Sequence, residues 1–180
     1  LPDREGLNIP VDLSFAFHSD AGTTMDDSII GSLGIYYDHG GKYVNGTERV
    51  NSRQLTDYVM TNIVNDVRAQ YDSNWTRRGM WDASYFEARV PEVPAMLLEL
   101  LSHQNFADMR YGLDPTFRFT VSRAIYKGMV EFFAAKEGRE DYMIQPLPVN
   151  SFSITKVKDG EYRLAWKATA DTLCDRADAT

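Results

Sequence analysis

The chain has 180 residues, 43% of them hydrophobic, and its 26 acidic against 19 basic side chains leave a formal net charge of -7. Such a length and apolar content suffice for one domain with a sizeable core, or for one domain and part of a second. The acidic balance excludes nucleic acid and anionic membrane surfaces as partners, since both need a concentrated basic face, and no apolar run approaches the ~20 residues that cross a bilayer, so no membrane insertion is expected.

In chain order, the β-branched and aromatic run from Val11 to Phe17 predicts a buried strand that delivers His18, Ser19, Asp20, Ala21 and Gly22 to its tip. Ser32 to Tyr37 predicts a second strand, closed by a turn at Asp38-His39-Gly40-Gly41. Ser52 reads as an N-cap, after which Leu55, Val59, Ile63 and Val67 recur every four residues on one face of a helix. The polar stretch Asp72 to Asp82 has no clean period and reads as a surface loop. Its Trp75, Arg77, Arg78 and Trp81 form either a glycan-stacking wall or a set of core and rim residues.

After Pro91 and Pro94, Ala95 to Leu101 is an apolar run of strand length interrupted by Glu99. Asp114-Pro115 supplies an N-cap and a first-turn proline for a helix buried through Phe117, Val121, Ile125, Met129 and Phe132 and ending near Gly138. Pro146 and Pro148 mark a linker over residues 145–149 between domains expected at 1–144 and 150–180. Beyond it, Phe152 and Ile154, then Tyr162, Leu164 and Trp166, alternate with polar residues on either side of a Lys158-Asp159-Gly160 turn, which predicts a hairpin. A hairpin alone is marginal, so it is expected to belong to a larger β-sandwich or to pack on the α/β part.

Two residues point to chemistry. His18 closes one strand, and functional side chains of open α/β sheets collect at such ends. Glu99 lies among leucines, where an ionised carboxylate loses several kcal/mol of hydration unless it is paired, protonated or bound to a metal. The structural alternative stands beside this: His18 as a hydrogen-bonded strand-end residue, and Glu99 simply paired with Arg89 or Arg118.

The stretch Phe17-His18-Ser19-Asp20-Ala21 resembles the strand-end histidine motif of zinc-dependent N-acetylmuramoyl-L-alanine amidases. Pro94-Ala95-Met96-Leu97-Leu98-Glu99 is similar to that family's second signature. Gln104-Asn105, Ala107-Asp108 and the helix from Phe117 to Phe133 follow in the family's order. The resemblance covers residues 9 to 137 and implies an α/β fold with a mixed sheet flanked by helices. It also implies zinc as cofactor, His18 as a zinc ligand, Glu99 as the catalytic carboxylate, peptidoglycan as substrate and a secreted or cell-surface location.

Zinc takes imidazole nitrogen and carboxylate oxygen, leaves a position for water and brings that water's pKa to about 7. Asp20 and Arg89 are candidate substrate-binding residues; Arg89 either orients Glu99 or a substrate carboxylate, or makes a surface ion pair. The family's other ligands precede its strand-end histidine, and only 17 residues stand before His18 here, so those ligands are expected upstream and this chain alone is expected to hydrolyse little. His39 follows His18 and reads as a turn residue.

The segment after residue 148 resembles the start of a fibronectin-III-like module. The rival reading is a non-catalytic module that binds cell wall or another polysaccharide. Proteins with this variant of the signature are also called xanthan lyases, although no residue here supports lyase chemistry.

Overall fold

Leu55, Val59, Ile63 and Val67 are all fully shielded from solvent, and together they form the inner side of a helix, α1, running Val50–Gln70. The structure, a computed structural model, describes residues 10–176. Before α1 come β1 (Ser14–Asp20) and β2 (Ser32–Tyr36); after it come β3 (Arg77–Asp82), a single helical turn α2 (Phe86–Arg89) and β4 (Ala95–Ser102). Then follow α3 (Phe106–Gly112), α4 (Pro115–Glu137) and the strands β5 (Asn150–Lys158) and β6 (Glu161–Lys167). By their internal contacts the residues group into two units, 1–132 and 133–180.

In the first unit four strands form a mixed sheet in the order β1-β4-β2-β3, flanked by helices as expected. β1 runs parallel to β4, β2 antiparallel to β4, and β2 parallel to β3 through the α1 crossover. The carboxyl ends of β1 and β4 therefore share a sheet edge with the amino ends of β2 and β3. Gly34 lets α1 press on β2, because any side chain there would run into Thr56 and Met60. Gly128 does the same between α4 and α1: a Cβ there would stand 2.6 Å from the Cα of Val59. Buried Lys127 of α4 also donates to the Asp66 carboxylate of α1 at 2.8 Å.

Three local expectations are corrected. The first strand is not a buried run from Val11 to Phe17 with His18 at its tip: β1 spans Ser14–Asp20, includes His18, and as an edge strand has no buried residue. Residues 77–82 are a strand and not part of a loop, and Trp75 is a core residue whose Nε1 donates to Ser32 Oγ at 3.0 Å. β3 is an edge strand with no buried residue, so its sequence never had to alternate. Ser52 is not an N-cap: α1 begins at Val50, and the buried Ser52 hydroxyl pairs with Tyr43 and accepts from Ala95 N at 2.9 Å. The start of α4 is as expected, with Asp114 Oδ1 accepting from Thr116 N at 2.8 Å.

In the second unit β5 and β6 pair antiparallel around a turn in which Gly160 adopts φ +76°. Every residue of both strands is exposed, including Phe152, Ile154, Tyr162, Leu164 and Trp166. The last four residues of the expected β module, 177–180, lie outside the described residues. No helix among the described residues is long and apolar enough to cross a membrane.

Candidate functional site

Alternation along β4 sends Met96, Leu98 and Leu100 to one face of the sheet and Leu97, Glu99 and Leu101 to the other. Leu98 pairs with Gly34, whose face meets α1, so Glu99 faces away from that helix. On its own side lie buried Leu33, Ile35 and Leu97, with Ala16 and Ala83 packed against them. The parallel register sets Ala16 opposite Leu97 and then His18 opposite Glu99, so imidazole and carboxylate stand side by side. The short helix α2 covers this face and brings Glu87 Oε1 to 3.6 Å from His18 Nε2. Both of those side chains remain about two-fifths exposed, at 41% each.

Glu99 Oε2 is buried and has no hydrogen-bond partner among the described residues. Burial pushes the Glu99 carboxyl above the usual carboxylate range, and the nearby Asp20 charge pushes the same way. His18, Arg78 and His103 pull against that shift without cancelling it. Asp20, at the tip of β1, is drawn below the usual range, chiefly because Arg78 Nη1 donates to its Oδ2 at 2.6 Å. The Ala21 amide adds a bond to Oδ1 at 2.7 Å.

His103 N donates to Asp20 O at 2.9 Å, and its Nδ1 lies 3.1 Å from Ser19 Oγ. His18, Asp20, Arg78, Glu87, Glu99 and His103 thus converge on one end of one sheet face.

Arg78 was not among the expected site residues. It arrives through an irregularity in the β2–β3 register: Ser32 pairs with Arg77 and Leu33 with Gly79, which leaves Arg78 as the extra residue. Bulges of this kind re-aim a side chain, and the glycine inside a strand-length segment was the signal that could have revealed it.

The structure does not bring Arg89 to Glu99. Arg89 lines a separate hollow of about 480 Å³ beside Tyr37, His39, Arg49 and Glu92, beyond the opposite sheet edge where β2 ends. The guanidinium that bears on Glu99 is that of Arg78. Asn105 and Asp108 have structural tasks. Asn105 caps α3 by accepting from Asp108 N at 2.8 Å, and the buried Asp108 carboxylate accepts from the amides of Ile30, Gly31 and Ser102.

A complete metal centre is not assembled from these residues. Zinc needs three protein donors besides its water, and among the described residues no group of three His, Cys, Asp or Glu side chains is placed to hold an ion. His18 and Glu87 provide a histidine–carboxylate pair only, so the zinc expected by resemblance does not fit this donor set by itself.

The same arrangement of sheet and helices recurs in solved structures. The amidase AmiC2 of Nostoc punctiforme is similar with a TM-score of 0.52 and 16% identity over 67% of this chain and 57% of that one. The CwlD amidase from Clostridioides difficile, solved in complex with the GerS lipoprotein, gives 0.55 and 15% over 71% and 57%. An N-acetylmuramoyl-L-alanine amidase from Clostridium difficile 630 gives 0.55 and 16% over 69% and 59%.

The fold is that of N-acetylmuramoyl-L-alanine amidases. The chain spans less than three fifths of the length of these amidase structures. No protein-family model matches the chain, and no curated protein does either.

Proposed function

We propose that the chain is the Glu99-bearing part of a cell-wall hydrolase of the N-acetylmuramoyl-L-alanine amidase type, acting on peptidoglycan at the amide between the lactyl group of muramic acid and L-alanine. The observation that carries this is the buried, unpartnered Glu99 Oε2 beside His18 at the open end of a sheet face. A carboxylate whose proton affinity is raised by burial suits general acid–base work near neutral pH. In the proposed step Glu99 takes a proton from the attacking water as the water oxygen bonds to the carbonyl carbon. It then gives that proton to the departing nitrogen as the C–N bond breaks. Asp20, held by Arg78, borders the space the substrate occupies, and its role is to orient it.

His18 remains the proposed metal ligand, with Glu87 the carboxylate nearest to it. Because the donor set is incomplete, no part of the proton transfer is assigned to a metal. The secreted or cell-surface location, and the reading of residues 150–180 as the start of a fibronectin-III-like module, belong to the same proposal. They are supported by the amidase fold and by the exposed apolar residues of the hairpin.

The test is hydrolysis of a purified muropeptide by the full-length protein, with release of the stem peptide followed by mass spectrometry. Cleavage at the lactyl–alanine amide is expected, and Glu99→Gln should lower the rate by about 100-fold or more. Equal rates for the two proteins would overturn the role of Glu99; absence of cleavage by the parent would overturn the hydrolase.

A further inference from the structure

The sheet edge that carries Asp20 continues past the amino ends of β2 and β3. There the loop after β1, the turn after α1 and the start of α3 enclose a hollow of about 680 Å³. Phe106, the first residue of α3, stands at its wall 77% exposed, so a large aromatic ring is left in water. Polar groups with spare hydrogen-bonding capacity surround it. The Asn74 carboxamide is exposed and has no partner among the described hydrogen bonds. Arg110 spends one nitrogen on Tyr111 Oη at 3.0 Å, and the Asp27 carboxylate accepts only a long bond from Ala107 N at 3.4 Å.

The backbone around the hollow is held from behind. Asp27 adopts φ +54°, uncommon for a residue with a side chain. Asn105 fastens the same loop by donating to Ser28 O at 3.0 Å and to Thr24 Oγ1 at 3.2 Å. Asp72, between Asn74 N and Tyr111 Oη, locks the opposite wall. Aspartate is among the few residues with a side chain that reach this region readily. The bonds from Asn105 and Asp72 hold the two walls of the hollow.

An exposed ring framed by an amide, a guanidinium and a carboxylate matches the two-sided chemistry of a sugar. A pyranose offers an apolar C–H face to the ring and hydroxyls at its rim to the polar groups. Nucleic acid is disfavoured by the net charge of -7, and the polar residues Asp27, Ser28, Asp72, Asn74, Thr76 and Arg110 outnumber Ile29, Phe106 and Ala107 in the lining, which favours a ligand with many hydroxyls over an apolar peptide side chain.

We propose that this hollow is a saccharide subsite that takes one hexopyranose unit of a neutral, N-acetylated glycan. It deepens the hydrolase reading, on which it rests for the choice of wall glycan: the strand would lie along the edge from Phe106 toward Glu99.

The experiment is calorimetric titration of the full-length protein with a β-1,4-linked N-acetylglucosamine tetramer and, separately, with the stem peptide alone. Saturable binding of the tetramer is expected. Phe106→Ala and Asn74→Ala should each weaken it about tenfold with unchanged melting temperature, since both side chains are exposed. No saturable binding, equal affinity for Phe106→Ala, or Phe106-dependent binding of the stem peptide instead would overturn the subsite. Glycan binding without amide cleavage would retain the subsite and remove the hydrolase, whereas Glu99-dependent cleavage with no effect of Phe106→Ala would do the reverse.

Discussion

Glu99 occupies a strand position that packing alone would give to another leucine, and the cost of placing a carboxylate there has a measurable sign. Its folded-state pKa is raised by burial, so the ionised form is disfavoured in the fold and the penalty is present above the ordinary carboxylate value of about 4.3. Glu99→Gln should therefore raise the melting temperature at pH 7, and the gain should vanish below about pH 4, where the native carboxyl is protonated in folded and unfolded chains alike. A melting temperature unchanged at pH 7 would show that this carboxylate is not held against its hydration. Asp20 runs the other way: Arg78 lowers its pKa, so its contribution is present above the unfolded value and is lost as pH falls through the folded one.

The isolation of Glu99 among leucines was legible in the sequence, because a single charge in an apolar run is conspicuous. The Arg78–Asp20 pair was not. The two residues are far apart in the chain, and no period or motif announces which arginine a register slip will turn inward.

At the scale of elements, four-residue spacing was enough to find α1 and α4: α1 buries Leu55, Val59, Ile63 and Val67, and α4 buries Phe117, Val121, Ile125 and Phe132, with Met129 of the expected stripe only partly covered. It failed for β3, whose exposed edge position leaves no stripe to detect, and it misplaced the start of α1, where Ser52 is engaged by Tyr43 and Ala95 instead of by the helix end. The α1–α4 contact depends on features that local patterning does not show. Replacing Gly128 by valine would force its side chain onto the Val59 backbone, with an expected loss of about 2 kcal/mol or more in urea denaturation. Lys127→Met should cost about 3 kcal/mol by the same measurement, because it removes a buried ammonium that pairs with the shielded Asp66 carboxylate at 2.8 Å. A loss under about 0.5 kcal/mol for either variant would contradict the packing described.

For the chain as a whole, the converging residues make a proposed acid–base site, and among the described residues no three donors are placed to hold a metal ion. Equilibrium dialysis of the 180-residue chain against zinc is accordingly expected to leave less than one ion per chain, and stoichiometric retention would show that donors outside the described residues complete the centre. The parallel pairing of β1 with β4 has a further consequence, for the order in which the molecule comes into being. Ser14 cannot meet Ala95 until the 80 residues between them have been made. β2 and β3, joined by a local crossover, can form earlier and wait. Such long-range closure slows folding, and His18 and Glu99 are brought side by side only by a non-local pairing, which cannot form until β4 has been made.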